Sequence, residues 1–269
     1  VISLPSSAPI GVFDSGVGGL SILIEIRKTL PNEDLFYIAD TAHCPYGVKP
    51  VEEIRKRVLD VSEYLMGLGA KAIVVACNSA CVAGLDHIRE VHPEIPIVGV
   101  EPAVKPAHDK TRSGKIGVLA TDMTLSGERF SLLVEKYGTG IEVYTQPAPG
   151  LVELVEAGKL DGAETEQILK EYLVPMLEKG VDTLVLGCTH YPFLKPVIAR
   201  LAGPDVAILD TGAAVARQTA KVLSQKQLLN EAPGPGRTFF YTTENPQEVS
   251  KVIGLLWNDP VDTVLKAEV

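Results

Sequence analysis

The sequence predicts an α/β fold built on mostly parallel sheets, and three observations carry that reading. Short β-branched runs recur, each followed by a longer stretch of helical periodicity, the alternation expected of strand–helix units. The runs are continuously apolar rather than alternating, as befits strands buried on both faces. Two of them, Lys71–Ala76 and Asp182–Gly187, each end directly at a cysteine followed by an amide or hydroxyl residue, an internal echo that suggests two related, pseudo-symmetric halves.

In chain order, the strands are expected at Ile10–Phe13, Leu35–Ala39, Ala72–Ala76, Ile97–Val100, Ile116–Leu119, Ile141–Tyr144, Thr183–Leu186, Ala207–Leu209 and Thr238–Tyr241. Helical patterns between them include Val51–Met66, Ser79–Val91, Leu125–Tyr137, Thr165–Leu177, Ala213–Leu223 and Pro246–Trp257. These strands fit one large sheet or two smaller ones, and two are favoured. The stretch Val100–Ala103 with Pro106 reads as one crossing point and Asp210–Gly212 as a second. One lobe would then hold residues 1–101 and 211–269, and a central lobe residues 102–210. Asn230–Arg237, with two prolines and two glycines, reads as a surface loop.

Composition narrows the function. The chain has 269 residues, 46% hydrophobic and 22% charged, enough apolar material for a substantial core. Its net charge of −9 argues against a general nucleic-acid binder and against a polybasic membrane anchor. Neither a nucleic-acid nor a membrane partner is expected. Val1–Pro9 lacks the basic and apolar regions of a secretory signal. No apolar run approaches the ~18–20 residues of a membrane span. Four cysteines, Cys44, Cys77, Cys81 and Cys188, are too few for a disulfide scaffold, so a reduced, cytoplasmic protein is expected.

Ligands of α/β sheets bind beyond the carboxyl ends of the strands, where Cys77 and Cys188 fall. A lone cysteine is more often a small buried hydrophobe. Two at equivalent strand ends with polar successors favour a chemical role. Each cysteine is also expected near a helix N-terminus, with Asn78–Ser79 and Thr189–His190 in the first turn, where unpaired N–H groups stabilise a thiolate and also suit a substrate carboxylate. Asp14–Gly19 follows the first strand; its glycines lack the spacing of a dinucleotide loop and no lysine follows for a phosphate loop. It is either a tight strand-to-helix turn or a carboxylate cradle in which Asp14 meets an ammonium group or a proton. Asp40–Gly47 follows the second strand, with Pro45 and Gly47 fixing the backbone around Tyr46: a rigid turn, or the wall of a ligand site. Cys44 has no obvious base and reads as a bystander. Cys81 lies one helical turn after Cys77, but no further ligands complete a zinc set, so no metal is expected. Of the five histidines, His190 stands out, two residues past Cys188. His87, His92 and His108 read as surface or turn residues. Glu156, in a short helical pattern ending at Gly158, is either a solvated carboxylate or a residue that reaches the site.

Five segments, Gly11–Leu20, Asp40–Gly47, Cys77–Ser79, Val152–Glu156 and Gly187–Pro192, together resemble the glutamate racemases of the cofactor-independent aspartate/glutamate racemase superfamily. That resemblance implies two α/β lobes with the active site at their interface and no cofactor. It implies Cys77 and Cys188 as the acid/base pair, and Asp14, Ser15, Tyr46, Gly47, Asn78, Ser79, Thr189 and His190 as substrate contacts. Thr121 and Thr124 match positions that line the family's pocket. Asp14, Glu156 and His190 match polar residues that tune the thiols. L- and D-glutamate are the implied substrates, supply of D-glutamate for peptidoglycan the implied role, and a homodimer the common assembly. Ser79 stands where the family usually has threonine, and Cys81 where it has a later hydroxyl; Thr121–Leu125 is also less typical.

Racemisation without an electron sink needs donors around the α-carboxylate and a base on each face of Cα. A thiol, with a free pKa of ~8.5, suits both the giving and the taking of a proton. Two other readings remain open at this point. Aspartate racemisation differs by one methylene, worth only ~1–3 kcal/mol of discrimination. A non-catalytic binding protein for an acidic metabolite would not need both strand-end thiols.

Overall fold

Three of the continuous apolar runs form strands buried on both faces: every residue of Ile10–Asp14, Ala72–Val75 and Thr183–Leu186 is buried. The computed structural model describes residues 5–269; residues 1–4, the start of the Val1–Pro9 stretch, lie outside the described residues. From the N-terminus run β1 (Ile10–Asp14), α1 (Leu20–Thr29), β2 (Leu35–Ala39), α2 (Val51–Gly67), β3 (Ala72–Val75), α3 (Asn78–Val91) and β4 (Ile97–Gly99). There follow α4 (Val104–Lys110), β5 (Lys115–Ala120), α5 (Asp122–Ser126), α6 (Glu128–Tyr137), β6 (Glu142–Pro147), α7 (Leu151–Glu156), α8 (Ala163–Glu178), β7 (Thr183–Leu186), α9 (Lys195–Ala202) and β8 (Ala207–Leu209). The chain continues with α10 (Gly212–Gln225), β9 (Thr238–Thr242), α11 (Pro246–Trp257) and β10 (Val264–Lys266).

Chain contacts divide the molecule into two compact units, Val1–Val100 with Gly212–Val269, and Glu101–Thr211. The first holds a six-stranded sheet in the order β10-β9-β2-β1-β3-β4, every pair parallel. Leu20, Leu23 and Ile26 of α1 and Ile54, Val58, Val61 and Leu65 of α2 supply buried stripes at helical spacing. The second holds a four-stranded, all-parallel sheet in the order β6-β5-β7-β8. Its core joins Val104 and Ala107 of α4, Ile116, Val118 and Ala120 of β5, Phe130 of α6 and Val185 of β7.

The internal echo is a repeat of topology. β2-β1-β3-β4 and β6-β5-β7-β8 have the same order, with the first strand of each unit second in its set of four. The registers agree residue for residue. Phe13 pairs with Val75 and Leu119 with Leu186. Beyond those pairs, Ala76 N–H bonds Phe13 O in one unit and Gly187 N–H bonds Leu119 O in the other. Cys77 and Cys188 each follow directly, at corresponding positions.

The α/β class and its parallel sheets agree with the sequence reading, and three details correct it. The expected helix Leu125–Tyr137 is two helices, because Gly127 adopts an extended backbone (φ −72°, ψ 144°) between α5 and α6. A tenth strand, β10, went unread because Val264–Lys266 is only three residues long and only Val264 is buried. Cys188 does not open an α-helix: it precedes a short 3-10 turn, Tyr191–Leu194, and α9 begins only at Lys195.

Candidate active site

In the first unit, Cys77 is the N-cap of α3. Its backbone is extended (φ −104°, ψ 123°), and its sulfur accepts the Ala80 N–H at 3.5 Å. Its thiol also reaches Ser15 Oγ at 3.8 Å. Cys77, Asn78 and Ser79 are all buried. Asn78 Oδ1 is a buried acceptor with no hydrogen-bond partner among the described residues, which suits it to a donor from a ligand.

Asp14 is fully buried at the end of β1. Its Oδ2 accepts the Gly19 N–H at 2.9 Å and lies 3.4 Å from the Gly16 nitrogen, while Tyr37 donates its hydroxyl to Gly16 O at 2.6 Å. Asp14 thus braces the glycine loop that carries Ser15. A Cβ on Gly19 would sit 2.6 Å from Asp14 Cβ and 2.9 Å from the Tyr37 hydroxyl, so the loop closes only with glycine there.

The Asp40–Gly47 segment is two 3-10 turns, Thr41–His43 and Tyr46–Val48, joined through a cis Cys44–Pro45 bond. Tyr46 is buried and donates its hydroxyl to Asp40 Oδ2 at 2.5 Å. Burial first, then the neighbouring Asp40 charge and hydrogen bond, hold the phenol well above its ordinary pKa, so it stays a donor. Gly47 is half-buried in the second turn. Cys44 is half-buried, and its N–H bonds Thr41 O. Cys81 does more than fill space: its buried thiol donates to Val75 O at 3.4 Å and its sulfur accepts the Val100 N–H at 3.3 Å.

Sequence reasoning missed two charged residues in this unit. Asp40 is fully buried, and Arg57 of α2 forks onto it, Nε to Oδ2 at 3.0 Å and Nη2 to Oδ1 at 2.8 Å. His43 Nδ1 lies 2.9 Å from the same Oδ1. The signal available was an arginine in the buried stripe Ile54, Arg57, Val58, Val61, where a charge without a partner would be costly.

In the second unit, Cys188 Sγ lies 3.7 Å from His190 Nδ1, and His190 Nε2 lies 2.6 Å from Glu156 Oε1. His190 is 1% exposed. Glu156 reaches it because Gly158 (φ 69°) ends α7 with a left-handed turn, Lys159 N–H bonding Leu154 O. A carboxylate on Nε2 favours the tautomer with its proton there, leaving the Nδ1 lone pair for the thiol proton. Thr189 is buried beside them. Tyr191 is also buried, donating its hydroxyl to Ala148 O at 3.1 Å. Thr121 caps α5: its Oγ1 accepts Thr124 N–H at 3.2 Å and donates to the buried Thr124 Oγ1 at 3.0 Å.

Each unit therefore carries a buried thiol at the carboxyl end of its third strand, in different surroundings. Cys77 has a serine hydroxyl and a helix N–H; Cys188 has an imidazole backed by a carboxylate. Among the other histidines, His92 meets Glu63 at 3.0 Å and His108 meets its neighbour Asp109 at 3.2 Å.

The same residues organise the comparisons with known proteins. The profile of the Asp/Glu/Hydantoin racemase family matches residues 10–219. The glutamate racemase of Pseudomonas paraeruginosa is 52% identical over 253 residues, 93% of this chain and 94% of its own. That of Pseudomonas putida is 50% identical over 256 residues, 95% of this chain and 96% of its own. Among solved structures, Francisella tularensis glutamate racemase in complex with D-glutamate superposes with a TM-score of 0.85 at 32% identity, covering 98% of each chain. Escherichia coli glutamate racemase in complex with L-glutamate and an activator, UDP-MurNAc-ala, gives 0.84 at 32% identity, covering 96% of this chain and 98% of its own. With a family match over most of its length and relatives at half identity, this chain belongs to the Asp/Glu/Hydantoin racemase family.

Proposed function

We propose that this chain interconverts L- and D-glutamate by moving a proton between Cα and two cysteines, Cys77 and Cys188, without a cofactor. The observation that carries the reading is the register match: both thiols follow the third strand of a repeated sheet, buried, each with its own polar support. Relatives of half identity are glutamate racemases. In the proposal the substrate offers one face of Cα to each thiol.

One cysteine, as thiolate, takes the Cα proton. The electron pair of the broken C–H bond moves into the α-carboxylate, giving an enediolate, and the other cysteine delivers its thiol proton to the opposite face. Ser15, Asn78, Ser79 and Thr189, with nearby peptide N–H groups, would hold the carboxylate and the developing charge. The unpartnered Asn78 Oδ1 is available to the substrate ammonium. Tyr46 and Gly47 would bind through the first peptide N–H groups of their 3-10 turn, which such a turn leaves without intrahelical acceptors. The Asp14 carboxylate would hold the Ser15 loop in place, and Thr121 and Thr124 would line the central unit's side. Glu156 and His190 would take and return the Cys188 proton. We assign Cys77 to D-glutamate and Cys188 to L-glutamate, on the family resemblance.

The proposal extends to D-glutamate supply for peptidoglycan in the cytoplasm, by a homodimer. Rescue of a bacterium that requires D-glutamate tests the cellular role, and failure of an active enzyme to rescue it would count against that role. The activity itself is tested by polarimetric assay of L- and D-glutamate, and of aspartate in parallel, with no cofactor added. Racemisation of glutamate supports the reading; racemisation of aspartate alone, or binding without Cα exchange, contradicts it.

A further inference from the structure

The Asp40–Arg57 pair is buried, as is Lys71–Glu33, whereas most ion pairs among the described residues lie at the surface. Arg57 is 11% exposed at its side chain and Asp40 0%, whereas Arg55, two residues away on the same helix, is 39% exposed and pairs with a Glu52 that is 77% exposed. Arg57 gives Asp40 a two-pronged fork of parallel N–H bonds, the geometry that fixes a carboxylate in orientation as well as in charge. Both Asp40 oxygens are then used again, Oδ2 by the Tyr46 hydroxyl and Oδ1 by His43. Burial alone lowers the guanidinium pKa, but the bonds to Asp40 more than reverse this, so Arg57 stays charged.

The carboxylate sits at the first residue after β2, and its partners Arg57, His43 and Tyr46 come from α2 and from both turns that follow. The N–H groups of His43, Cys44 and Lys49 close the turns, Ala42 N–H goes to Thr243 Oγ1, and the Asp40 side chain ties both turns to α2. The side-chain cluster therefore has a large share in holding the loop. We propose that Arg57 is a positioning residue for the reaction: by clamping Asp40 it fixes the Tyr46–Gly47 segment in the conformation that receives substrate. The proposal rests on the reading above, in which Tyr46 and Gly47 bind glutamate. Arg57 would touch neither substrate nor reacting atoms, and would act through Asp40 and Tyr46.

A positioning role separates from a merely structural one in the split between KM and kcat. Loss of structure lowers the active fraction and leaves the KM of the folded remainder unchanged. Arg57→Gln should raise the KM for both enantiomers of glutamate by about tenfold or more while kcat changes less, since a loop displaced by an ångström loses binding geometry first. Arg57→Lys keeps the charge but cannot form the fork, and should raise KM as well. Arg55→Gln on the same helix should leave KM at the wild-type value. Because Arg57 acts through Asp40, Asp40→Asn combined with Arg57→Gln should be no worse in KM than the poorer single variant. A wild-type KM in folded Arg57→Gln, or in Arg57→Lys if the glutamine variant does not fold, overturns the proposal, as do KM effects of the two substitutions that multiply independently. A wild-type chain that fails to racemise glutamate in the same assay contradicts the underlying reading, and the loop's role falls with it.

Discussion

At the residue scale, the two thiols differ in what surrounds them. Cys77 has Ser15 Oγ and the Ala80 N–H; Cys188 has His190, itself bonded to Glu156. A base on each face predicts that Cys77→Ser and Cys188→Ser each lower racemisation by about a hundredfold or more, the usual scale of general acid–base loss. The assignment of faces predicts more. Cys188→Ser should still exchange the Cα hydrogen of D-glutamate with solvent, and Cys77→Ser that of L-glutamate, neither with inversion; NMR of each enantiomer in D2O reads this out, and the reverse pattern would swap the assignment. Glu156→Gln should lower kcat about tenfold or more through the His190 tautomer, since a carboxylate bonded to the far nitrogen of a working imidazole carries factors of that size. An unchanged kcat would make the Glu156 bond structural only. The cysteines, Asp14 and His190 were legible because strand ends and glycine loops announce themselves in sequence. Asp40 and Arg57 were not, because 17 positions separate the partners and an arginine on a helix reads as surface charge until its stripe is known to be buried.

At the scale of elements, the central strands were easiest to read, being short apolar runs buried on both faces. β10 was missed because its one buried residue leaves no pattern. Gly127 divides α5 from α6 by backbone conformation alone, which apolar periodicity does not register. Turns depend on side chains that reach across the chain. Asp182, one residue before β7, accepts Thr111 Oγ1 at 2.6 Å, Ser113 N–H at 2.7 Å, Arg112 N–H at 2.8 Å and Thr183 Oγ1 at 3.1 Å. Burial raises its pKa, but those donors outweigh it and bring the carboxyl to about 2. Because the folded pKa lies below the unfolded value of about 3.9, the stabilisation is full above that pH and is lost as pH falls toward the folded value. Asp182→Asn should therefore cost about 1 kcal/mol near neutrality, a modest figure because the group is partly solvated, and the gap to wild type should close in acid. Urea denaturation at several pH values checks this, and a pH-independent gap would contradict it. Ser62, buried in α2 with no hydrogen-bond partner for its hydroxyl among the described residues, supplies the opposite case: Ser62→Ala should be neutral or stabilising, by up to about 1 kcal/mol.

At the scale of the whole molecule, one strand order occurs twice, and the two cysteines occupy its corresponding positions. The sequence carried a trace of this in the two strand-to-cysteine segments, but the shared order of β2-β1-β3-β4 and β6-β5-β7-β8 depends on pairings far apart in the chain. No helix among the described residues is long and apolar enough to cross a membrane. The net charge of −9 fits an anionic substrate only if hydroxyls and peptide N–H groups, rather than a basic patch, hold its carboxylates. The central claim is a proton taken by one thiol and given by another, and the most direct measurement is early-time racemisation of L-glutamate in D2O with no cofactor, followed by NMR after separation of the enantiomers. Two cysteines predict deuterium at Cα of essentially all newly formed D-glutamate, with the remaining L-glutamate still carrying protium; newly formed D-glutamate that retains the original protium would contradict the account.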